Sequence, residues 1–251
     1  VGEVERRMIF LTEPSHYAFI SAPFFIYYLL SSSKKNFIFF SLSLLFSTIF
    51  LENITLTIPL LIGLFIRNKK YFLSFIVLSI LILPFFVLFL NTLNTKVLGL
   101  LDPESSNLSV LVYFQGWQYI VSSFEKFWGA GIGFQQLGQV KLDSSAQTFL
   151  ELMNYPLNQN DGTFLFSKLT VEFGIIGIIL TYYYIKNLIP IYLNIKKIKH
   201  LYWNLFLSST YISLLILLFV RNSSYFNPAI FFFIVSIFGM NLNKNRVLLN
   251  K

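Results

Sequence analysis

Long apolar runs separated by short, lysine-bearing polar junctions dominate this chain, and they lie at about 15–31, 36–51, 53–66, 71–90, 164–185, 202–220 and 228–242. Crossing a hydrocarbon core takes roughly 17–25 apolar helical residues, so the second, third and last runs are short. One helix over 36–66 would reach about 46 Å at 1.5 Å per residue, too long for a core of ~30 Å without strong tilt. Glu52-Asn53 at its middle instead predicts two short helices and a turn. The pattern predicts an all-α polytopic membrane protein, a single integral membrane domain over 1–251 with about seven transmembrane helices.

Residues 91–163 interrupt this pattern with a long stretch of mixed polarity. Within it Val110, Tyr113, Phe114, Trp117, Ile120, Val121, Phe124, Phe127 and Trp128 recur at helical spacing, with Ser109, Gln118, Ser122 and Glu125 on the other side. That periodicity predicts an amphipathic helix over about 106–128, entered through Asp102-Pro103-Glu104-Ser105 and ended by Gly129. Its aromatic stripe suits either a membrane interface or the loop's own small core. The glycine turn that follows (129–134) lacks the surrounding βαβ unit that a dinucleotide fingerprint requires.

Composition agrees with the pattern. The chain is 55% hydrophobic and 12% charged, against about 25% charged in a soluble domain. It has no cysteine, which excludes disulfides, thiolate nucleophiles and cysteine metal ligands. It opens at Val1-Gly2-Glu3 without a methionine or a signal-peptide pattern, and is expected to be the C-terminal part of a longer protein.

The net charge of +8 has a positional explanation. With Lys34-Lys35 in the cytoplasm and seven alternating spans, twelve of the nineteen basic residues fall inside and all eleven acids fall outside or near the outer span ends. This is the positive-inside bias of an inserted chain, not a nucleic-acid footprint. The 91–163 loop then lies on the outer side of the membrane, and the candidate site with it.

Basic residues left on the outer side are the ones that insertion does not explain. Arg221 opens the polar turn Arg221-Asn222-Ser223-Ser224-Tyr225 between two apolar runs, and an arginine at membrane depth is a site candidate by default. Arg6-Arg7 precede Glu13-Pro14-Ser15-His16, a helix-entry pattern whose free N–H groups suit an anion. Snorkelling would explain Arg221 equally well, and dipole stabilisation would explain Glu13. His16 is one of two histidines, and without a partner histidine or cysteine it does not predict a metal site. Lys168 and Glu172, four apart, share a helical face and would neutralise each other. Asp161, in Asn158-Gln159-Asn160-Asp161-Gly162, is a base or only a helix entry. The 92–163 loop carries three basic and six acidic residues, so if an anionic substrate binds, its cations must come from Arg6, Arg7, Arg221 and Lys168.

Three segments together resemble the O-antigen polymerase and ligase superfamily. They are Arg7 followed by Glu13-Pro14-Ser15-His16; Trp128-Gly129-Ala130-Gly131-Ile132-Gly133-Phe134 with the later Glu172-Phe173-Gly174-Ile175-Ile176-Gly177; and Arg221 with Tyr225-Phe226. Their order and the long outer loop cover most of the chain. The resemblance implies a metal- and cofactor-independent glycosyl transfer between polyprenyl-pyrophosphate-linked glycans at the periplasmic face. Arg7 and Arg221, with Arg6, Tyr225 and Lys168, would hold the pyrophosphate; Glu13, His16 or Asp161, in that order, would take the acceptor proton. A flippase and a chain-length regulator are the implied protein partners. Many members carry a loop arginine where this chain has Ser109-Val110-Leu111, and ligases usually carry His-Asn where it has Asn160-Asp161. The latter favours repeat-unit polymerase over ligase. A transporter without covalent chemistry is the alternative from another class, and the scarcity of charges within the spans argues against it.

Overall fold

The computed structural model describes residues 14–50, 56–67, 108–152, 154, 160–198, 201–220 and 225–249. Among them the chain is helical, with no strand. In chain order the helices are α1 (Pro14–Ser31), α2 (Lys34–Phe50), α3 (Thr57–Arg67), α4 (Leu108–Phe127), α5 (Ser145–Leu152), α6 (Leu165–Phe173), α7 (Ile175–Ile198), α8 (Tyr202–Phe219) and α9 (Pro228–Leu249). The described residues form two compact units, one within 108–183 and 218–220, the other within 14–67, 184–217 and 225–249.

Among the described residues two helices are long and apolar enough to cross a membrane, Ile175–Ile195 and Tyr202–Phe219. Over 36–66 the described residues form α2 and α3, and the turn expected at Glu52-Asn53 lies outside them; α3 at 11 residues is about 17 Å long. The run expected at 71–90 lies outside the described residues. The run expected at 164–185 is corrected: it is not one helix. Gly174, at φ +59, separates α6 from α7, and the apolar stretch then continues past residue 185 to Ile195. Hydropathy averages over such a break, because one residue in a left-handed conformation turns the chain without changing its composition.

In the second unit α1 packs on α3 through Ala18, Leu29, Leu56 and Leu60, with Leu44 of α2 in the same cluster. Gly63 permits the approach, since a Cβ there would come within 2.7 Å of the Leu29 side chain. Arg67 donates from Nη1 to the carbonyls of Leu29 (3.2 Å) and Ser32 (3.3 Å) and lies 4.2 Å over the Phe37 ring. It thus satisfies carbonyls at the C-terminal end of α1, where a cation also suits the helix dipole. Tyr184 and Tyr211 lock α7 to α8, each hydroxyl donating to the other's backbone carbonyl, at 3.0 and 3.3 Å. Ser209, Thr210 and Ser213 of α8 donate to carbonyls one turn back, which lets hydroxyls sit in an apolar helix.

In the first unit α4 occupies Leu108–Phe127, within two residues of its expected bounds. The expected division of its faces is corrected. Ser122 is buried together with Gln115 and Ser123, while Val121 of the aromatic stripe is exposed. The polar face is satisfied by the loop it covers. Ser122 Oγ accepts from Asp143 N–H (2.9 Å), and Gln118 Oε1 accepts from Ser144 Oγ (2.7 Å) and Ala146 N–H (3.0 Å). Ser144 in turn caps α5 through Gln147 N–H (3.0 Å). Leu111 and Val112 pack with Leu150, and Tyr119 with Leu137, Leu142 and Val171. A small core of the first unit receives this side of α4.

Candidate functional site

The two glycine-bearing segments of the resemblance, some forty residues apart in sequence, meet directly. Ile132 N–H donates to Val171 C=O (3.0 Å), Gly133 N–H to Glu172 C=O (2.9 Å), and Ile175 N–H to Gly129 C=O (2.9 Å). Gly129, Gly131, Gly133 and Gly174 all have positive φ. A Cβ at Gly131 would lie 2.5 Å from the Glu172 carbonyl oxygen, and one at Gly174 would collide with the Gly129 carbonyl. Glycine is required here by both backbone conformation and space. The result is a knot that ties the end of α4 to the α6–α7 junction, immediately ahead of the apolar stretch Ile175–Ile195.

The turn entering α6 is held from the other side. Gly116 on α4 leaves room for Thr163 and Phe164, and Ser167 Oγ donates to Gly116 C=O (2.7 Å). Thr163 is buried at φ +66, a conformation that a β-branched residue rarely adopts. Its hydroxyl oxygen and Gln115 Oε1 are buried without a hydrogen-bond partner in the structure. Backbone strain of this kind is found where surrounding packing over-determines the chain.

Between these two anchors lies the charged cluster. Lys168 Nζ is 4.0 Å from Asp161 Oδ1 and 3.9 Å from Glu172 Oε1. The Glu172 side chain is fully buried and that of Lys168 nearly so, whereas the Asp161 side chain is 43% exposed. One ammonium therefore faces two carboxylates, one closed off and one open to its surroundings. At these distances the attraction is coulombic rather than a short hydrogen bond. Glu172 is placed by the knot through its own backbone carbonyl, and Asp161 by the turn packed at Gly116. Lys168 and Glu172 stand on α6, ahead of the apolar stretch rather than within it.

A second polar chain crosses from α4 to α5. Gln115 Nε2 donates to the Tyr119 hydroxyl (2.7 Å), which donates to Gln147 Oε1 (2.7 Å), whose Nε2 donates to Glu151 (2.7 Å). Burial pushes the Tyr119 hydroxyl up to about 12; the Gln115 bond opposes that and the nearby Glu151 charge adds to it. Tyr119, Gln147 and Thr163 carry no mark in the sequence. Tyr119 falls outside the aromatic stripe, and nothing local marks a threonine that will be forced to positive φ.

Of the other expected site residues, Arg6, Arg7, Glu13 and Arg221 lie outside the described residues. His16 stands in the first turn of α1, its side chain outside the description. Tyr225 is half-buried just before α9, whose start is capped by Asn227 Oδ1 accepting from Ala229 N–H (2.8 Å). The cluster that comes together is thus Asp161, Lys168 and Glu172. No protein-family model, curated protein or solved structure matches this chain.

Proposed function

We propose that the chain is a membrane glycosyltransferase that polymerises polyprenyl-pyrophosphate-linked oligosaccharide repeat units at the outer face of the inner membrane. The observation that carries this reading is the Asp161–Lys168–Glu172 cluster, held just ahead of a membrane-length helix by two segments that resemble the polymerase family. A hydroxyl of the incoming unit attacks the anomeric carbon of the growing chain. The new glycosidic bond forms as the bond from that carbon to the pyrophosphate oxygen breaks. Polyprenyl pyrophosphate leaves, and the hydroxyl proton passes to a carboxylate or imidazole.

Asp161 has the open carboxylate that this last step needs, with Glu13 and His16 the other acceptors. Arg7 and Arg221, with Arg6 and Tyr225 in support, neutralise the leaving pyrophosphate through the bidentate geometry a guanidinium provides. Lys168, already facing two carboxylates, holds Asp161 in place and contributes less to pyrophosphate than the arginines do.

The test is the length distribution of surface polysaccharide in a deletion strain carrying Arg7→Ala, Arg221→Ala or Asp161→Asn. Each change is expected to cost roughly 100-fold or more in transfer rate, the usual effect of removing one transition-state contact, leaving single repeat units. Stably inserted variants that still make long chains would overturn the reading. Lipid-linked polymer accumulating on deletion would instead assign a ligase-type transfer to another acceptor.

A further inference from the structure

Trp128 is the most exposed large hydrophobic side chain among the described residues, at 90%. It also sits at φ +52, in the left-handed region where a helix C-terminus usually places glycine or asparagine. An indole held in an unfavourable backbone conformation and covered by nothing in its own unit calls for an outside partner. Isolated exposed hydrophobes are ordinary, but Trp128 is not isolated. Its neighbour Gly129 accepts the hydrogen bond from Ile175 N–H (2.9 Å), which puts the Trp128 backbone beside the first residue of the membrane-length helix.

The surface continues from there. Ile175 and Ile176 are 52% and 61% exposed, and Ile179 and Leu180 carry the same apolar character along α7. Phe134, across the glycine turn, is half-exposed and pairs with Phe173 at 6.1 Å between ring centroids. Only 22% of the apolar window of this helix is buried. Polar positions begin at once on the other side of Trp128, where Glu125 and Lys126 are exposed and Lys126 pairs with Asp143 at 2.9 Å. Tryptophan is the residue enriched where an apolar body meets a hydrated headgroup layer.

We propose that Trp128 and the 129–134 glycine turn are seated in the headgroup layer of the bilayer, continuous with the lipid-facing surface of α7. The occupant of this surface is lipid, because the patch is one with the exposed face of a helix long enough to span. The seating fixes the depth of the knot, and with it the height of Asp161 and Lys168 above the hydrocarbon. It rests on the membrane placement in the proposed function and not on the transfer chemistry, so it is tested without any measure of activity.

The full chain with Trp117→Phe and Trp203→Phe keeps Trp128 as its only tryptophan. It is reconstituted in phosphatidylcholine vesicles carrying bromine either near the headgroups or near the bilayer centre. A loss of fluorescence that is larger with shallow bromines than with deep ones is expected. The absence of cysteine allows a second measurement in the otherwise unaltered chain, a nitroxide on Ala130→Cys compared with one on Gln139→Cys. The Ala130 label is expected to collide more with oxygen and less with a water-soluble nickel complex. Fluorescence untouched by both brominated lipids would overturn the proposal, as would nickel accessibility at residue 130 equal to that at 139. In that outcome, quenching of Trp128 by iodide marks it as solvated, and protection from iodide marks a protein partner.

Discussion

Lys168 has its ammonium between a fully buried carboxylate and a half-open one, and buried pairs are asymmetric in their energetics. Removing one partner of such a pair costs about 3–5 kcal/mol, whereas replacing both is often close to neutral. Lys168→Met is therefore expected to lower resistance to unfolding in detergent by about 3 kcal/mol, and Lys168→Met with Glu172→Leu to recover most of the loss. Equal losses in the single and double variants would show that the pair is not coupled. The i,i+4 spacing made this contact legible in the sequence. The approach of Asp161 was not, because it depends on a turn whose Thr163 adopts a conformation that no local rule anticipates.

Tyr119 makes a prediction with a definite pH window. Its folded value of about 12 lies above the ordinary value of 10 for an unfolded chain. The stability tied to keeping it protonated is fully present below pH 10 and is lost as pH rises through about 12. Unfolding curves of the wild type and Tyr119→Phe are expected to converge as pH rises across that window. A constant difference from pH 9 to 12 would contradict the buried relay to Gln147 and Glu151.

Among the elements, the glycine knot decides how the end of α4 meets the start of the membrane-length helix. Gly131→Ala and Gly174→Ala each combine a left-handed backbone, which costs an L-residue about 1–2 kcal/mol, with a Cβ driven against backbone atoms. Each is expected to destabilise the first unit by about 3 kcal/mol or more, read as earlier loss of hydrogen-exchange protection in α4 and α6. Ala130→Gly, at an exposed position of the same turn, is expected to change it little. Protection unchanged in the Gly131 and Gly174 variants would contradict the knot. The helices themselves were legible, since α1, α2 and α8 follow the apolar runs and α4 follows the apolar periodicity closely. The break at Gly174 was not, because hydropathy continues unaltered across it. The buried Ser/Gln face of α4 was missed because periodicity reports which residues share a face but not that caps and loop amides will satisfy them.

For the whole molecule, the described residues supply the frame for the proposed transfer: two helices long and apolar enough to cross a membrane, a small core around α4, and the carboxylate–lysine cluster on α6 and the turn before it. The distribution of lysine, arginine and acid predicts which end of that frame faces outward. The most direct measurement supplies the purified full chain, in vesicles, with a polyprenyl-pyrophosphate-linked oligosaccharide and follows both products. The account predicts lipid-linked glycans longer by whole repeat units, with one polyprenyl pyrophosphate released per bond formed, and loss of both products in Asp161→Asn and Arg221→Ala. Lipid-linked units that remain single in the presence of correctly inserted wild-type protein would contradict it.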